Sequence, residues 1–251
     1  MKNLADAKRF YDANGYVAAE RLFTREELAP VIRRVDEILR NPSAAPAGVE
    51  VGRESDTRAD RSQPPPADDP IRKLGFMARF DPAFQTLARA PQLLALVRAL
   101  IGAPRVKVFR DQMLLKPPGG QDKPTHQDQS YFRVQPRDAL VTAWIALDDA
   151  TLENGCMRYV PTSHLHGLFE MGHDPARPVH HLPKTDHLDL PEEAVCPVPA
   201  GSVIFHHGLT LHRSGVNQTS SWRRALIFHY AASDARSEIP ELNDEISLEI
   251  D

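Results

Sequence analysis

Residues 105–147 read RVKVFRDQMLLKPPGGQDKPTHQDQSYFRVQPRDALVTAWIAL, and this stretch decides the fold class. Runs rich in apolar residues alternate in it with clusters of Pro, Gly and Asp. Such punctuation is typical of short strands joined by turns. The same texture continues to residue 232, which indicates a sandwich or barrel. We predict strands at 105–116, 124–133, 139–147, 156–161, 202–206, 209–214 and 223–232.

The residues before this stretch predict helices. A short polar-apolar helix covers 4–13, and Gly15 ends it. Thr24 and Glu27 form a capping box, which opens a second helix that ends near residue 41. A third helix is expected at 82–101 because its leucines and valines recur at helical spacing. Between the last two helices, residues 42–70 predict a long loop rich in Pro, Ala, Asp, Arg and Ser.

We expect one domain over residues 1–251. It divides into a mostly helical flank (1–103), a β-rich part (104–233) and a tail (234–251). A His- and Pro-rich insert at 163–195 interrupts the strands. This insert is either a surface excursion or a lid over the mouth of the barrel, and the sequence favours neither.

Composition limits the partners. The net charge of −4 and a pI near 6.3 argue against nucleic acid or an anionic membrane surface as the main partner. No apolar run is long enough to span a bilayer. The polar first residues predict no signal peptide, and SLEID at the end matches no anchor or peroxisomal address. Two cysteines lack zinc-site spacing. We therefore expect a cytoplasmic protein with a small-molecule substrate, and the oligomeric state stays open.

His126, Asp128 and His212 carry the chemistry. Side chains two apart on a strand share a face, so His126 and Asp128 can bind one ion together. Strict alternation leaves Tyr131 and Arg133 on the opposite face. Together with His212 from a distant strand, the first two residues would bind a metal on one side and leave the other side open. That arrangement suits non-haem Fe(II) that activates O2.

Each candidate has a less specific interpretation. Single histidines are usually hydrogen-bonded core or surface residues, and a His-x-Asp match alone is weak. A carboxylate facing a barrel interior is costly unless it is paired or metal-bound, so Asp128 is harder to explain otherwise. His207 is the main rival to His212. Arg223, eleven residues beyond His212 on an apolar strand, offers a planar fork for a carboxylate.

Four segments carry a family resemblance, namely QMLLKPPGG (112–120), HQDQSYF (126–132), TAWIALDDATLENGCMRYVPTSH (142–164) and GSVIFHHGLTLHRSGVNQTSSWRRA (201–225). Together they resemble the phytanoyl-CoA dioxygenase family, whose members are Fe(II)- and 2-oxoglutarate-dependent oxygenases. The resemblance runs from about residue 10 to residue 233. It implies a mainly β fold with flanking helices, built as a double-stranded β-helix, which is a jelly-roll, cupin-like barrel.

The resemblance also implies roles. Iron would be bound by His126, Asp128 and His212, and Arg223 with Ser214 would hold the far carboxylate of 2-oxoglutarate. Three further residues match positions that line the co-substrate pocket or lie near the co-substrate, namely Trp144, Gln112 and Lys73. The implied reaction uses O2 to hydroxylate an aliphatic carbon and releases succinate and CO2. Because Asp128 occupies the coordination position that halogenating relatives leave to chloride, we expect oxygenation.

The substrate is less readable. It is expected to be an acyl-CoA or another anionic metabolite. Arg110 would bind it if it shares an inner face with Gln112, or else it forms a salt bridge at the rim. Loop arginines at 53, 58 and 61 could close over it, or they are solvated. Two alternatives of other classes remain at this point: a cupin-like isomerase or lyase that does not use 2-oxoglutarate, and a non-catalytic small-ligand-binding barrel.

Overall fold

The computed structural model describes residues 3–57, 68–174 and 177–251. Thr24 accepts a hydrogen bond from the Glu27 N–H while the Glu27 carboxylate accepts one from the Thr24 N–H, so the capping box is present. The single helix predicted over 82–101 is two, because Pro91 starts a new one. The helices are α1 (Leu4–Asn14), α2 (Arg25–Arg40), α3 (Met77–Phe80), α4 (Pro82–Ala88), α5 (Pro91–Ile101) and α6 (Gln129–Phe132).

Sixteen strands lie in the described residues. Six of the seven predicted strands are present within a few residues of their expected limits. The strands are β1 (Tyr16–Ala19), β2 (Glu50–Arg53), β3 (Ile71–Gly75), β4 (Val106–Lys116), β5 (Lys123–His126), β6 (Val134–Gln135), β7 (Leu140–Ala146), β8 (Met157–Tyr159), β9 (Met171–Asp174), β10 (Arg177–Pro183), β11 (Ala194–Cys196), β12 (Val203–His207), β13 (His212–Ser214), β14 (Arg223–Ala232), β15 (Arg236–Ser237) and β16 (Leu248–Glu249).

Two antiparallel sheets organise the site. The large sheet has the order β1-β12-β7-β14-β4-β3-β2, and β16 also pairs with β4. The small sheet has the order β11-β8-β13-β5. Residues of both sheets, including Trp144, Met157 and Ile227, pack in one apolar cluster, so the sheets face each other. This is the layering of a jelly roll.

The seventh predicted strand, at 124–133, was wrong beyond His126. The chain leaves β5 there, and Asp128 has helical backbone angles (φ −61°, ψ −35°) before α6. The Ser130 and Phe132 N–H groups bond back to the carbonyls of Gln127 and Asp128, so local turn bonds replace a strand ladder. Alternation therefore fails after Asp128.

The helical flank contributes more than helices. β1, β2 and β3 all join the large sheet, and β2 lies within the stretch that was expected to be loop. The helices cover the outer face of this sheet, where Met113 and Leu115 of β4 join the main apolar core. Gln112 and Leu114 alternate with them and line a cleft on the inner face.

The insert and the tail also contain ordered elements. β9 and β10 form a two-stranded sheet inside the insert, and Met171 of β9 lines the same cleft. In the tail, β15 pairs with β6 and β16 pairs with β4. None of the helices in the described ranges has the length and apolar character that a bilayer crossing requires.

Candidate active site

His126 and His212 lie opposite each other on the neighbouring strands β5 and β13. Nδ1 of His126 lies 2.8 Å from the carbonyl oxygen of Pro124, and Nδ1 of His212 lies 2.9 Å from that of Thr210. A carbonyl only accepts, so each Nδ1 carries the proton and donates it. Both Nε2 atoms are thereby left with a free lone pair, which is the form that binds metals.

Asp128 completes the group. Its Oδ1 lies 3.8 Å from Nε2 of His126 and 3.7 Å from Nε2 of His212. One ligand atom from each of the three residues falls within 4.8 Å of the others, and all three side chains are buried. Metal–ligand bonds of about 2.0–2.1 Å allow two ligands of one ion to lie up to ~4.2 Å apart, so the two distances from Asp128 to the histidines fit a single ion.

The protonation states match this donor set. Burial, followed by the neighbouring His212, lowers the pKa of His126 well below its ordinary value. Burial and then His206 lower the pKa of His212 to about 4. Burial alone would raise the pKa of Asp128, but His212 and His229 outweigh it and hold that pKa well below the ordinary value. At neutral pH the group therefore presents two neutral imidazoles and a carboxylate, as a divalent iron site requires.

The second oxygen of Asp128 faces the large sheet. Oδ2 lies 2.5 Å from the Thr142 hydroxyl and 3.0 Å from Nε2 of His206. Nδ1 of His229 lies 2.8 Å from the same hydroxyl and 3.5 Å from Oδ2. The three residues form one cross-strand row over β12, β7 and β14. The sequence analysis gave none of these three residues a role beside Asp128, although alternation along each strand places all three inward.

Arg223 opens β14 and is 1% exposed. Among the residues that the structure describes, none accepts a hydrogen bond from its Nε or Nη1, and the buried Nε1 of Trp144 is also without an acceptor there. Burial, and then Arg72, lower the pKa of Arg223 to about 10, so it remains cationic at pH 7. Buried donors of this kind require an acceptor, and a planar guanidinium suits a carboxylate.

Ser214 lies beside Lys116, whose Nζ donates to the Ser214 hydroxyl at 3.0 Å and to the carbonyl of Gly215. Lys116 pairs with Arg223 across β4 and β14. Burial, followed by Arg223 and Arg72, lowers the pKa of Lys116 to about 6. The KPPGG motif contains this lysine, but the sequence assigned it no role.

The other two predicted co-substrate residues have protein partners. Nε2 of Gln112 lies 3.2 Å from Nε2 of His229. The Lys73 ammonium pairs with Glu50 at 2.9 Å near the mouth of the cleft. Both residues line the cleft of about 880 Å³ that also contains the other six predicted site residues. One space thus contains all eight, namely His126, Asp128, His212, Arg223, Ser214, Trp144, Gln112 and Lys73.

The structure also places three other residues that the sequence analysis discussed, namely His207, Arg110 and Tyr131. His207 lies on the opposite face of β12 from His206, with Nε2 3.3 Å from Asp138. Arg110 forms an ion pair with Glu245 at 3.1 Å, which agrees with the salt-bridge interpretation. Tyr131 lines the cleft, so its exclusion by strand alternation was wrong, because α6 turns it inward. Loop arginines 58 and 61 lie outside the described residues.

Comparison with known proteins decides the family. The model of the phytanoyl-CoA dioxygenase family matches residues 11–225. The chain belongs to the phytanoyl-CoA dioxygenase family. A probable phytanoyl-CoA dioxygenase of Caenorhabditis elegans is 28% identical, with 92% of this chain and 76% of the relative covered. A probable alpha-ketoglutarate-dependent hypophosphite dioxygenase of Stutzerimonas stutzeri is 26% identical, with 92% and 79% covered.

A solved structure gives the same answer. The non-heme alpha ketoglutarate dependent carbocyclase SnoK from nogalamycin biosynthesis is 27% identical and superposes with a TM-score of 0.72, over 94% of this chain and 88% of that one. The mainly β fold with flanking helices is therefore the jelly roll of this family, as predicted. The protein is an iron- and 2-oxoglutarate-dependent dioxygenase that acts on a small molecule. This class excludes both alternatives that the sequence left open, the isomerase or lyase and the non-catalytic barrel.

Proposed function

We propose that His126, Asp128 and His212 bind Fe(II) and that Arg223 anchors 2-oxoglutarate in the same cleft. The observation that carries the proposal is that one cleft contains a group of atoms suited to a cation and a buried guanidinium suited to an anion. Three ligand atoms lie within 4.8 Å of one another, and the buried guanidinium of Arg223 offers two donors that no described residue accepts. A metal ion would bind to the three ligand atoms, and a dicarboxylate would accept hydrogen bonds from the guanidinium.

Fe(II) with bound 2-oxoglutarate supplies the oxidising chemistry, which couples decarboxylation of the co-substrate to succinate with insertion of an oxygen atom from O2 into a C–H bond. The protein contributes orientation and exclusion of water. The guanidinium of Arg223 and the Ser214 hydroxyl receive the far carboxylate, and Trp144 walls the pocket between them and the metal ligands. Gln112 and Lys73 line the same cleft on β4 and β3.

The carboxylate of Asp128 favours hydroxylation over halogenation. It occupies the third protein ligand position of the triad, so no protein-derived position is left for chloride. We propose that the product is a hydroxylated aliphatic carbon. Mass spectrometry of products formed in chloride buffer tests this, since a chlorinated product from the unmodified enzyme contradicts it.

The primary substrate is proposed to be a small anionic metabolite. Of the cations that line the outer cleft, Arg72, Lys73 and Arg213 have carboxylate partners. Lys123 has none in the described ranges, and its ammonium lies 3.2 Å from the Tyr131 hydroxyl beside His126. Both groups can donate to one anionic group of a substrate whose carbon chain extends toward the metal.

A substrate screen tests the function. The enzyme is incubated with Fe(II), 2-oxoglutarate and panels of acyl-CoAs, carboxylates, phosphates and their neutral esters, while 2-oxoglutarate consumption is followed. We expect stimulation by anionic compounds only, with a product 16 mass units heavier, the mass of one inserted oxygen atom. Stimulation by the neutral esters alone contradicts the proposed substrate class. No consumption of 2-oxoglutarate under any condition contradicts the proposed iron and co-substrate site.

The cellular compartment, the classes of partner and the domain organisation are also proposals. We propose one catalytic domain over residues 1–251 that works in the cytoplasm, without nucleic acid or a membrane surface as partner. The net charge of −4 supports the second part, because it gives no attraction to polyanions. Localisation of the tagged protein by fractionation and microscopy tests the compartment.

A further inference from the structure

The two oxygens of Asp128 have different surroundings. Oδ1 faces Nε2 of both histidines in the small sheet, at 3.8 Å and 3.7 Å. Oδ2 faces the large sheet, where the Thr142 hydroxyl and Nε2 of His206 lie 2.5 Å and 3.0 Å away. The Asp128 side chain is 6% exposed, so protein groups rather than solvent surround it.

The hydrogen-bond directions on Oδ2 follow from the chemistry of the partners. An ionised carboxylate only accepts, so the Thr142 hydroxyl must donate its proton to Oδ2. The hydroxyl oxygen then accepts from Nδ1–H of His229, 2.8 Å away. This leaves Nε2 of His229 as an acceptor, and the amide of Gln112 donates to it at 3.2 Å. A chain of donors thus runs from Gln112 through His229 and Thr142 to Asp128.

A second chain reaches Oδ2 from the other side. Nε2–H of His206 must donate to the carboxylate, which makes Nδ1 of His206 an acceptor. The Tyr159 hydroxyl lies 3.2 Å from that Nδ1 and donates to it. Tyr159 is itself fixed, because its ring stacks on Tyr16 with centroids 4.6 Å apart and planes 7° from parallel. Both chains end on the same oxygen.

We propose that His206 and Thr142 are positioning residues that hold Asp128 in place through Oδ2, so that Oδ1 alone is presented to the metal. This inference rests on the proposed metal site. Two convergent donors fix the rotation of the carboxylate and draw charge onto Oδ2, which favours binding through one oxygen over chelation through both. Binding through one oxygen conserves an open position on the metal for the co-substrate or O2.

The test separates the hydrogen bonds from the bulk of the side chains. His206→Phe and Thr142→Val keep the approximate size and remove the donor, whereas His206→Gln and Thr142→Ser keep a donor. Each protein is titrated with Mn²⁺, with the free ion followed by electron paramagnetic resonance. The charge-transfer band of the anaerobic Fe(II) and 2-oxoglutarate complex is recorded as well. Loss of an outer partner typically costs about tenfold to hundredfold in metal affinity.

We expect His206→Phe and Thr142→Val to weaken Mn²⁺ binding by about this factor and to shift the band, and the Gln and Ser variants to recover most of the affinity. Unchanged Mn²⁺ affinity in both donor-free variants overturns the proposal. So does equal loss in all four variants, because that reports packing. If His206→Phe does not fold, as judged by circular dichroism, the nearly isosteric Thr142→Val decides.

Two further variants of this protein serve as controls. His207→Gln changes the adjacent histidine, which pairs with Asp138 and does not contact Asp128, so its Mn²⁺ affinity should match that of the unmodified protein. Asp128→Ala should lose Mn²⁺ binding. If Asp128→Ala retains it, the proposed metal site itself is wrong. If only Asp128→Ala loses it and the donor-free variants do not, the positioning role alone is rejected.

Discussion

The guanidinium carbon of Arg223 lies 5.5 Å from the ring centroid of Trp144. The two residues come from the adjacent strands β14 and β7, and the indole face stabilises the buried cation. Nε and Nη1 of the arginine and Nε1 of the indole have no acceptor among the described residues. The pair therefore forms a donor-rich pocket wall that is complete only with an anionic acceptor bound.

Arg223→Ala should weaken 2-oxoglutarate binding about tenfold to hundredfold. A charge-assisted hydrogen bond contributes roughly 1.5–3 kcal/mol, and each ~1.4 kcal/mol is a factor of ten in affinity. Titration of the anaerobic Fe(II) protein with 2-oxoglutarate, followed by the charge-transfer band, measures it. Arg224→Ala is the matched control, because Arg224 pairs with Asp148 and Asp36 outside the cleft. Equal affinities in the two variants contradict the anchor role.

Asp128→Ala should abolish coupled turnover. The substitution removes one of the three proposed metal ligands and leaves the Thr142 hydroxyl and His206 without their common acceptor. Succinate and hydroxylated product are measured together, and neither should exceed the metal-free background. The variant should still fold, which near-ultraviolet circular dichroism checks. Product formation at a rate similar to that of the unmodified enzyme rules out the role of Asp128.

Lys116 should make stability depend on pH. Its folded pKa of about 6 lies far below the ordinary value of 10.5, because burial and two arginines disfavour the ammonium. Between these pH values the unfolded chain binds the extra proton, so the free energy of unfolding rises with pH in that window. Lys116→Met should remove this contribution. Urea unfolding of both metal-free proteins from pH 6.5 to 9.5 measures the difference, and parallel curves contradict the expectation.

Gly155→Ala should destabilise the fold and disturb the co-substrate end of the cleft. Gly155 has φ +80°, and an added Cβ would lie 2.2 Å from the carbonyl oxygen of Gly215, next to Lys116 and Ser214. Gly102 also has a left-handed φ (+76°), but no described atom lies within 4 Å of its added Cβ. Gly102→Ala should therefore lower the free energy of unfolding by only about 1 kcal/mol. Gly155→Ala should lower it by at least ~2 kcal/mol more.

Thermal unfolding of both variants measures this difference, and 2-oxoglutarate titration checks the functional part. Only Gly155→Ala should weaken co-substrate binding, because the clash displaces Gly215 and with it Ser214 at the end of β13. Similar losses of stability in the two variants would mean that the Gly215 backbone moves aside easily, and that the close approach matters little.

The sequence predicted six of the sixteen described strands, the capping box and, with the help of the family resemblance, eight of the residues that line the cleft. These features depend on local rules: alternation along a strand, hydrogen bonds at a helix start, and motif spacing between metal ligands. Alternation failed where the chain leaves β5 after His126, because the turn bonds of α6 override it. The helical backbone of Asp128 and α6 brings Tyr131 to the cleft.

The tertiary structure alone shows which side chains surround Asp128. In the sequence, His206 lies 64 residues from Thr142 and His229 lies 87 residues from it. Strand register alone makes the three residues neighbours. The partners of Lys116 and the isolation of the Arg223 donors depend in the same way on packing between strands distant in sequence. Local patterns specify which face a side chain takes, whereas the surroundings of that side chain depend on contacts that no local pattern encodes.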